Sequence, residues 1–203
     1  MEKTKYVFIG AGGHARVLAS VIESNRAELV AVFDPNPKKI ALDEVKNEGA
    51  YQQDKHPNAQ LLIAIGDNAI RERISQKIKH KVGQAVHATA LVDRLVNLAE
   101  GVQIIQGAIV NRGSSIGKHT IINTNATVDH DCHLGDFVHI APGATLCGGV
   151  KVGKGTLLGA NATVLPNCKI GKNVSVGAGA VVTTDLPDNV VVAGVPAKII
   201  KHG

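Results

Sequence analysis

A six-residue repeat constrains this sequence more than any other feature. Seventeen positions spaced six apart, from Val86 to Val182, are each Val, Ile or Leu. A second column runs two residues before these positions, from Ala90 to Ala180, and holds only small or β-branched side chains. Residues two apart in an extended strand share a face, so each hexad directs one aliphatic and one small side chain inward and then bends.

The repeat predicts a three-sided solenoid of parallel strands, in which three hexads form one coil and residues 18 apart stack. About five and a half such coils fit in residues 86–185. Stacked aliphatic rungs fill a core without rings, in agreement with an aromatic content of 2%. Glycines that follow the aliphatic position, such as Gly117, Gly135 and Gly153, are expected to supply permissive backbone at the corners. The alternative is a β-sandwich with chance spacing.

Residues 1–85 have a different pattern, in which apolar runs alternate with helical spacing. Strands are predicted at Lys5–Ile9, Leu29–Phe33 and Leu61–Ile65, and helices at Ala15–Ser24 and Ala69–Lys81. Strands that alternate with helices indicate a parallel sheet, here half of a Rossmann fold in βαβαβα order. The sequence therefore predicts an α/β domain at 1–85 and an all-β domain with a C-terminal tail at 86–203.

Charge, hydropathy and cysteine content exclude several classes of function. The net charge is +5, and no Lys/Arg cluster lies beside aromatic residues, so a nucleic-acid partner is not expected. No apolar run reaches the length of a membrane span. The three cysteines are an odd and sparse set, which favours reduced thiols and a cytoplasmic protein.

The first predicted strand runs into a glycine-rich turn. Residues 10–15 read Gly-Ala-Gly-Gly-His-Ala, which fits G-x-G-x-x-G/A between a strand and a helix, and Asp34 ends the next strand. Such a turn presents N–H groups and a helix N-terminus to phosphate, and the acid suits a ribose hydroxyl. Alone it indicates NAD, but three strands form only half of that fold and no hydride-transfer domain follows.

A polar cluster at residues 129–133, Asp-His-Asp-Cys-His, interrupts the solenoid pattern. His130 lies at a bend, and the residue 18 further on is Gly148, which leaves room for a substrate beside the imidazole. Histidine can take a proton near neutral pH, and either Asp131 or Asp129 could orient it.

The cysteines of the solenoid core and His133 are assigned simpler roles. Cys132 and Cys168 belong to the inward small column and are expected to fill the core, and His133 is expected to be solvated. The cluster is rich in metal ligands, but its side chains point in different directions, so we expect no metal.

Three segments together resemble a known family. The unbroken hexads and the closing GVPAKII are similar to the hexapeptide-repeat acyltransferases, which form left-handed parallel β-helices. IGAGGHARV and IAIGDNAIRERI resemble one bacterial subfamily, which holds the nucleotide-linked 4-amino-sugar N-acetyltransferases and the sialic-acid O-acetyltransferases. The resemblance implies a homotrimer with acetyl-CoA in the cleft between neighbouring β-helices.

The resemblance also implies roles for individual residues. His130 would be the general base and Asp131 would raise its basicity, although Asp is one methylene shorter than the Glu usual in the relatives. His139 would contact acetyl-CoA, as would an edge of small residues in which Pro142, Ala160, Ala178 and Pro196 are spaced by 18, and a backbone N–H near Gly148 could stabilise the oxyanion. The nucleotide sugar would bind the glycine turn and the ends of strands two and three, at Gly12, Gly13, His14, Asp34, Pro35 and Gly66.

The expected function is acetyl transfer from acetyl-CoA to the 4-amino group of a UDP-linked 4-amino-4,6-dideoxy sugar. Three alternatives stay open. They are O-acetylation of a sugar hydroxyl, a non-enzymatic solenoid that binds nucleotide sugars, and a zinc lyase of the same fold. The sequence names neither the sugar, the nucleotide nor the acyl length.

Overall fold

The computed structural model describes residues 3–36 and 45–202. The chain forms a small α/β domain followed by a three-sided parallel β-helix, as predicted. The α/β domain contains β1 (Lys5–Ile9), α1 (Gly13–Ser24), β2 (Glu28–Phe33), β3 (Gln60–Ile63) and α2 (Asn68–Ser75).

The three strands of the front domain form a parallel sheet in the order β2-β1-β3. One face of this sheet packs on α1 through residues such as Phe8 and Leu18. The other face buries Val7, Phe33 and Leu61. A further helix of the predicted βαβαβα order would fall between β2 and β3, where residues 37–44, including Pro37, lie outside the described residues.

The second helix is shorter than predicted, because it ends at Ser75 rather than at Lys81. The chain after Ser75 becomes extended beside β3, where the Leu61 N–H donates to the Lys81 carbonyl at 2.9 Å and the Gly83 N–H donates to the Leu61 carbonyl at 3.1 Å. Pairing with the sheet edge therefore replaces the last turns of the helix. Ile78 still packs against the core, which explains its apolar spacing.

From β4 to β20 the solenoid consists of two-residue strands that stack 18 residues apart, and together with two longer C-terminal strands they form three sheets. The eight-stranded face contains β4 (Ala85–Val86), β7 (Gln103–Ile104), β10 (Ile121–Ile122), β13 (His139–Ile140), β16 (Leu157–Leu158), β19 (Ser175–Val176), β21 (Val190–Ala193) and β22 (Lys198–His202). The six-stranded face contains β5 (Leu91–Val92), β8 (Ile109–Val110), β11 (Thr127–Val128), β14 (Thr145–Leu146), β17 (Thr163–Val164) and β20 (Val181–Val182). The five-stranded face contains β6 (Asn97–Leu98), β9 (Ser115–Ile116), β12 (His133–Leu134), β15 (Lys151–Val152) and β18 (Lys169–Ile170).

Both predicted columns point into the prism, where they form one continuous aliphatic core. The corners differ from the prediction. The left-handed backbone conformation does not occur at the predicted glycines but at a different residue of the corner, for example at Gly113 with φ 79°. Gly117 and Gly153 do not adopt this conformation. They are needed because the next coil passes closely, since a Cβ on Gly153 would lie 2.6 Å from the Gly171 carbonyl carbon.

The final rung is two residues shorter than the others. Ser175 of β19 pairs with Val191 of β21, a spacing of 16 instead of 18. Gly194 therefore takes the place above Ala178, and Pro196 lies in the turn between β21 and the antiparallel β22. The straight column predicted through Pro196 is wrong for this last member.

Candidate active site

A cleft of about 410 Å³ opens at the carboxyl ends of β1, β2 and β3. Ile9, Phe33 and Ile74 supply its apolar walls. All six residues expected to contact a nucleotide sugar line this one cleft: Gly12, Gly13, His14, Asp34, Pro35 and Gly66. The backbone N–H groups of the first turn of α1 face no capping side chain, as a phosphate site at a helix N-terminus requires.

Asp34 fixes the shape of the glycine turn. Its Oδ2 accepts a hydrogen bond from the Ala11 N–H at 2.9 Å, and its Oδ1 accepts one from the Asn36 N–H at 2.9 Å. The residue as a whole is 7% exposed. Asp34 therefore joins the glycine turn to the end of β2 at the edge of the cleft.

Arg71 joins the two domains, a role that was not predicted from the sequence. Its guanidinium is fully buried and donates to the carbonyl of His119 at 2.7 Å and to those of Ile65 and Gly66 at 3.0 Å each. Burial lowers its pKa to about 10. In the sequence, Arg71 follows Ile70 within the predicted helix. A charged residue at that position is equally expected on a solvent-exposed face, so the pattern alone did not indicate burial.

His139 lies at this junction, on the eight-stranded face. Its Nδ1 is 3.1 Å from the Gly66 carbonyl and its Nε2 is 3.0 Å from the Asn123 amide nitrogen, so both ring nitrogens have partners. Burial, the Arg71 charge and His14 lower the pKa of His139 to about 4. The ring is therefore neutral at physiological pH, with the proton on Nδ1 donated to Gly66 and with Nε2 accepting from Asn123.

His139 also borders a second groove of about 600 Å³ between α2 and the eight-stranded face. Leu157 and Ser175 line it from the solenoid, and Asp67 and Glu72 line it from the front domain. Gly66 belongs to both this groove and the cleft, so the two spaces adjoin.

His130 and Asp131 lie on the edge between the six- and five-stranded faces, which we name the histidine edge (His130, Asp131 and Gly148). His130 Nδ1 is 2.9 Å from Asp131 Oδ2, and the two side chains are 63% and 68% exposed. Asp131 first, and then the charge of Asp129, raise the pKa of His130. The competitor Asp129 instead accepts hydrogen bonds from the His130 backbone N–H and from Asn111.

Gly148 lies directly against the imidazole. A Cβ at Gly148 would be 2.5 Å from both Cε1 and Nε2 of His130, so only glycine allows the ring this position. Within the described residues, the Gly148 N–H donates to no acceptor. The ring nitrogen that faces away from Asp131 and a free backbone N–H therefore occur side by side.

Three of the four small residues expected beside acetyl-CoA form the edge between the eight- and six-stranded faces, here called the alanine edge (Pro142, Ala160 and Ala178). The Pro142 carbonyl accepts from Asn161 at 2.9 Å, and the Ala160 carbonyl accepts from Gly179 at 2.8 Å. The N–H groups of Ala160 and Ala178 have no acceptor in the part of the chain that is described. Pro196 is held near the top of this edge, because the Ala197 N–H donates to the Val181 carbonyl at 2.8 Å.

The cleft, the histidine edge and the alanine edge do not meet within one chain. The front domain packs on the eight-stranded face, through Arg71, Gln103 and Asn68 among others. The histidine edge borders the other two faces and lies across the prism from that domain. One chain therefore holds the parts of the site on separate sides.

The remaining polar cluster residues behave as structural groups. Cys132 is fully buried in the core, and burial raises its pKa to about 11, so its thiol is protonated at neutral pH. Cys168 is buried as well, and His133 is exposed beside Ser115. Across residues 3–36 and 45–202, no three His, Cys, Asp or Glu side chains converge as a metal site. Neither described helix has the length and hydropathy to cross a membrane.

Comparison with protein families gives two matches that follow the domain organisation. The PglD N-terminal domain matches residues 5–78. The bacterial transferase hexapeptide family (six repeats) matches residues 113–148 and 149–184. The resemblance predicted from the sequence is thus confirmed for both domains.

Solved structures resemble the chain over almost its full length. A point variant of perosamine N-acetyltransferase from Caulobacter crescentus, in complex with CoA and GDP-perosamine, is 39% identical, with 97% of each chain covered and a TM-score of 0.93. The acetyltransferase domain of PglB from Neisseria gonorrhoeae, in complex with acetyl coenzyme A, is 31% identical, with 98% of this chain and 100% of that domain covered and a TM-score of 0.91. WeeI from Acinetobacter baumannii is 25% identical, with 98% and 100% covered and a TM-score of 0.82.

The order of the domains, the paired histidine and aspartate on a solenoid edge and the identity over the whole length agree with one another. The chain belongs to the hexapeptide-repeat acetyltransferases with a PglD-type N-terminal domain, and it is an acetyltransferase.

Proposed function

We propose that this enzyme transfers the acetyl group of acetyl-CoA to the 4-amino group of a nucleotide-linked 4-amino-4,6-dideoxy sugar, with UDP as the nucleotide, in the cytoplasm. The observation that carries the proposal is the His130–Asp131 pair at 2.9 Å over Gly148, in a chain whose front domain carries a phosphate-type glycine turn. The relative from C. crescentus, solved with CoA and GDP-perosamine, supports the same class of acceptor.

In the proposed site, the front-domain cleft binds the nucleotide. N–H groups of Gly12, Gly13 and His14 face the diphosphate, while Asp34 and Pro35 lie beside the nucleoside and Gly66 leads toward the second groove. Burial lowers the pKa of His14, so its ring is neutral and acts as a hydrogen-bonding group rather than as a cation.

Acetyl-CoA is assigned to the alanine edge, where the free N–H groups of Ala160 and Ala178 can pair with the pantetheine amides. Small side chains at Pro142 and Pro196 keep this edge open. His139 belongs to the same binding surface through its ring face, because both of its nitrogens already have partners.

The proposed chemistry is direct transfer. Asp131 accepts the Nδ1–H of His130, which leaves Nε2 free to take a proton from the attacking amine. The amine nitrogen bonds to the thioester carbonyl carbon, and the Gly148 N–H can donate to the resulting oxyanion. The carbon–sulfur bond then breaks, and the imidazolium returns its proton to the departing thiolate.

This scheme needs a second copy of the chain. Because the histidine edge lies across the prism from the front domain, a neighbouring subunit must bring His130 to the bound sugar. We therefore propose a homotrimer in which each active site lies between two solenoids.

The test is thiol release from acetyl-CoA with UDP- and GDP-linked 4-amino sugars and with a matched 4-hydroxy sugar. The proposal predicts turnover with an amino sugar, with the UDP form preferred. Turnover with the hydroxy sugar alone would replace N-acetylation by O-acetylation. Nucleotide-sugar binding without thiol release would indicate a binding protein.

A further inference from the structure

The corners of the solenoid follow a conformational rule. Fourteen consecutive residues spaced six apart, from Gly101 to Gly179, have φ between 53° and 79°. Glycine and asparagine adopt this left-handed region most readily, and they occupy 11 of the 14 positions. Asp131 is the sole carboxylate in this series, with φ 59°.

The asparagines of this series all make the same contact with the preceding coil. Their amide oxygens lie so close to the glycine 18 residues earlier that a Cβ on that glycine would overlap them. The pairs are Asn125 on Gly107, Asn161 on Gly143, Asn167 on Gly149 and Asn173 on Gly155. The fold therefore builds a repeated cradle in which a short planar side chain rests on a glycine.

Asp131 uses the same cradle, with Gly113 below it. A Cβ on Gly113 would overlap Asp131 Oδ1. With Oδ1 seated on Gly113, the other oxygen, Oδ2, reaches His130 Nδ1 at 2.9 Å. The side chain of Asp131 is 68% exposed, so burial does not hold it, and the backbone conformation and the glycine below are what restrict it.

We propose that Gly113 is a positioning residue, which acts through Asp131 to hold the imidazole of His130 in its working orientation. The inference rests on the proposed function, because it assigns His130 and Asp131 to proton transfer. It extends the site to the coil below. In this arrangement the imidazole of His130 packs against Gly148 of the next coil, and the carboxylate of Asp131 packs against Gly113 of the preceding coil.

The test compares Gly113→Asn with Gly107→Asn. Asparagine tolerates the left-handed backbone, and both glycines have the same type of neighbour in the next coil, Asp131 above Gly113 and Asn125 above Gly107. Gly113→Ala and Gly107→Ala form a second matched pair. If one pair does not fold, the other still gives the comparison, and thermal melting shows which variants are folded.

The first readout is the titration of His130, followed by NMR in the absence of substrate and assigned with His130→Ala. Asp131 and Asp129 are the charged groups that raise the pKa of His130. We expect that pKa to fall in the Gly113 variants toward its value in Asp131→Asn, because only the contribution of Asp129 remains, and to stay unchanged in the Gly107 variants. An unchanged pKa in a folded Gly113 variant would overturn the inference.

The second readout is kinetic. The Gly113 variants should lose about tenfold in kcat with little change in the KM for acetyl-CoA, and Gly113→Asn should cause no further loss in an Asp131→Asn background. Equal losses in the Gly107 variants, or additive losses in the double variant, would contradict a role through Asp131. If the native enzyme acetylates no amino sugar, the proposed function fails, while the titration still decides the positioning role.

Discussion

The front-domain cleft and the histidine edge belong to the same chain, but they differ in how far that chain encloses them. The cleft has walls from three strand ends and both helices, and Asp34, one of its residues, is 7% exposed. The histidine edge is an open corner, with His130 63% exposed. In the proposed function, the cleft therefore binds its ligand within one chain, whereas the chemistry needs a surface from a neighbour.

Among the variants that distinguish the two regions, His130→Ala is expected to cause the largest change in activity. Removing the proposed base should lower kcat by about 10³-fold, whereas nucleotide binding in the distant cleft should be unchanged. His133→Ala is the matched control, because His133 lies on the same coil, is exposed and bonds to Ser115. Steady-state kinetics and calorimetry measure the two properties. Near-native turnover in His130→Ala would remove this residue as the base.

The next effect concerns the junction that ties the regions together. Arg71→Met should lower the free energy of unfolding by about 3 kcal/mol, because it leaves one buried and two part-buried carbonyls without this donor. Arg73→Met on the same helix is the control, since Arg73 is exposed. Urea unfolding measures the free energy of unfolding of both variants. Similar losses of stability in the two variants would contradict the role of Arg71 in joining the domains.

The buried junction should also make stability depend on pH. The pKa of His139 is about 4 in the folded chain and 6.5 for a free histidine. Between these two pH values the unfolded chain therefore binds more protons at this residue than the folded chain does. Stability is therefore complete above pH 6.5 and decreases as the pH falls. At pH 5 the loss is about 2 kcal/mol from this residue.

His14 contributes to the pH dependence in the same direction, because burial lowers its pKa too. Urea unfolding of the native protein and of His139→Gln at pH 7.5 and pH 5 measures the slope. We expect a smaller slope in the variant, and identical slopes would contradict a neutral, partly buried His139.

The smallest effect is expected at Gly148. Gly148→Ala should displace the exposed His130 ring and reduce kcat by about tenfold. The melting temperature should change little, because the group that must move is the end of a solvated side chain. A variant with native kcat would show that the ring position over Gly148 is not the working one.

The sequence predicted the regular parts of both regions, because local rules control them. The hexad columns fix which side chains point inward, and the glycine turn with Asp34 identifies the cleft. Arg71 could not be predicted, since its burial depends on carbonyls from separate segments such as His119 and Gly66.

Two further features depended on pairing between distant segments. The spacing of 16 between Ser175 and Val191 follows from how the last rung closes, and it displaced Pro196. The early end of α2 follows from pairing of Lys81 and Gly83 with Leu61. The orientation of Asp131 depends on a glycine one coil away, which local spacing around His130 does not reveal.

We propose that each active site is shared between two chains, and subunit complementation is the decisive test of this arrangement. His130→Ala chains lack the proposed base. Gly13→Glu chains carry a carboxylate where the phosphate should bind, at a position where an added Cβ meets no atom within 4 Å.

Each variant alone should be inactive, and a refolded equal mixture should regain about one quarter of native activity, because random assembly places complementary chains side by side at about one interface in four. A mixture as inactive as its parents, in trimers shown to be mixed, would contradict the shared site.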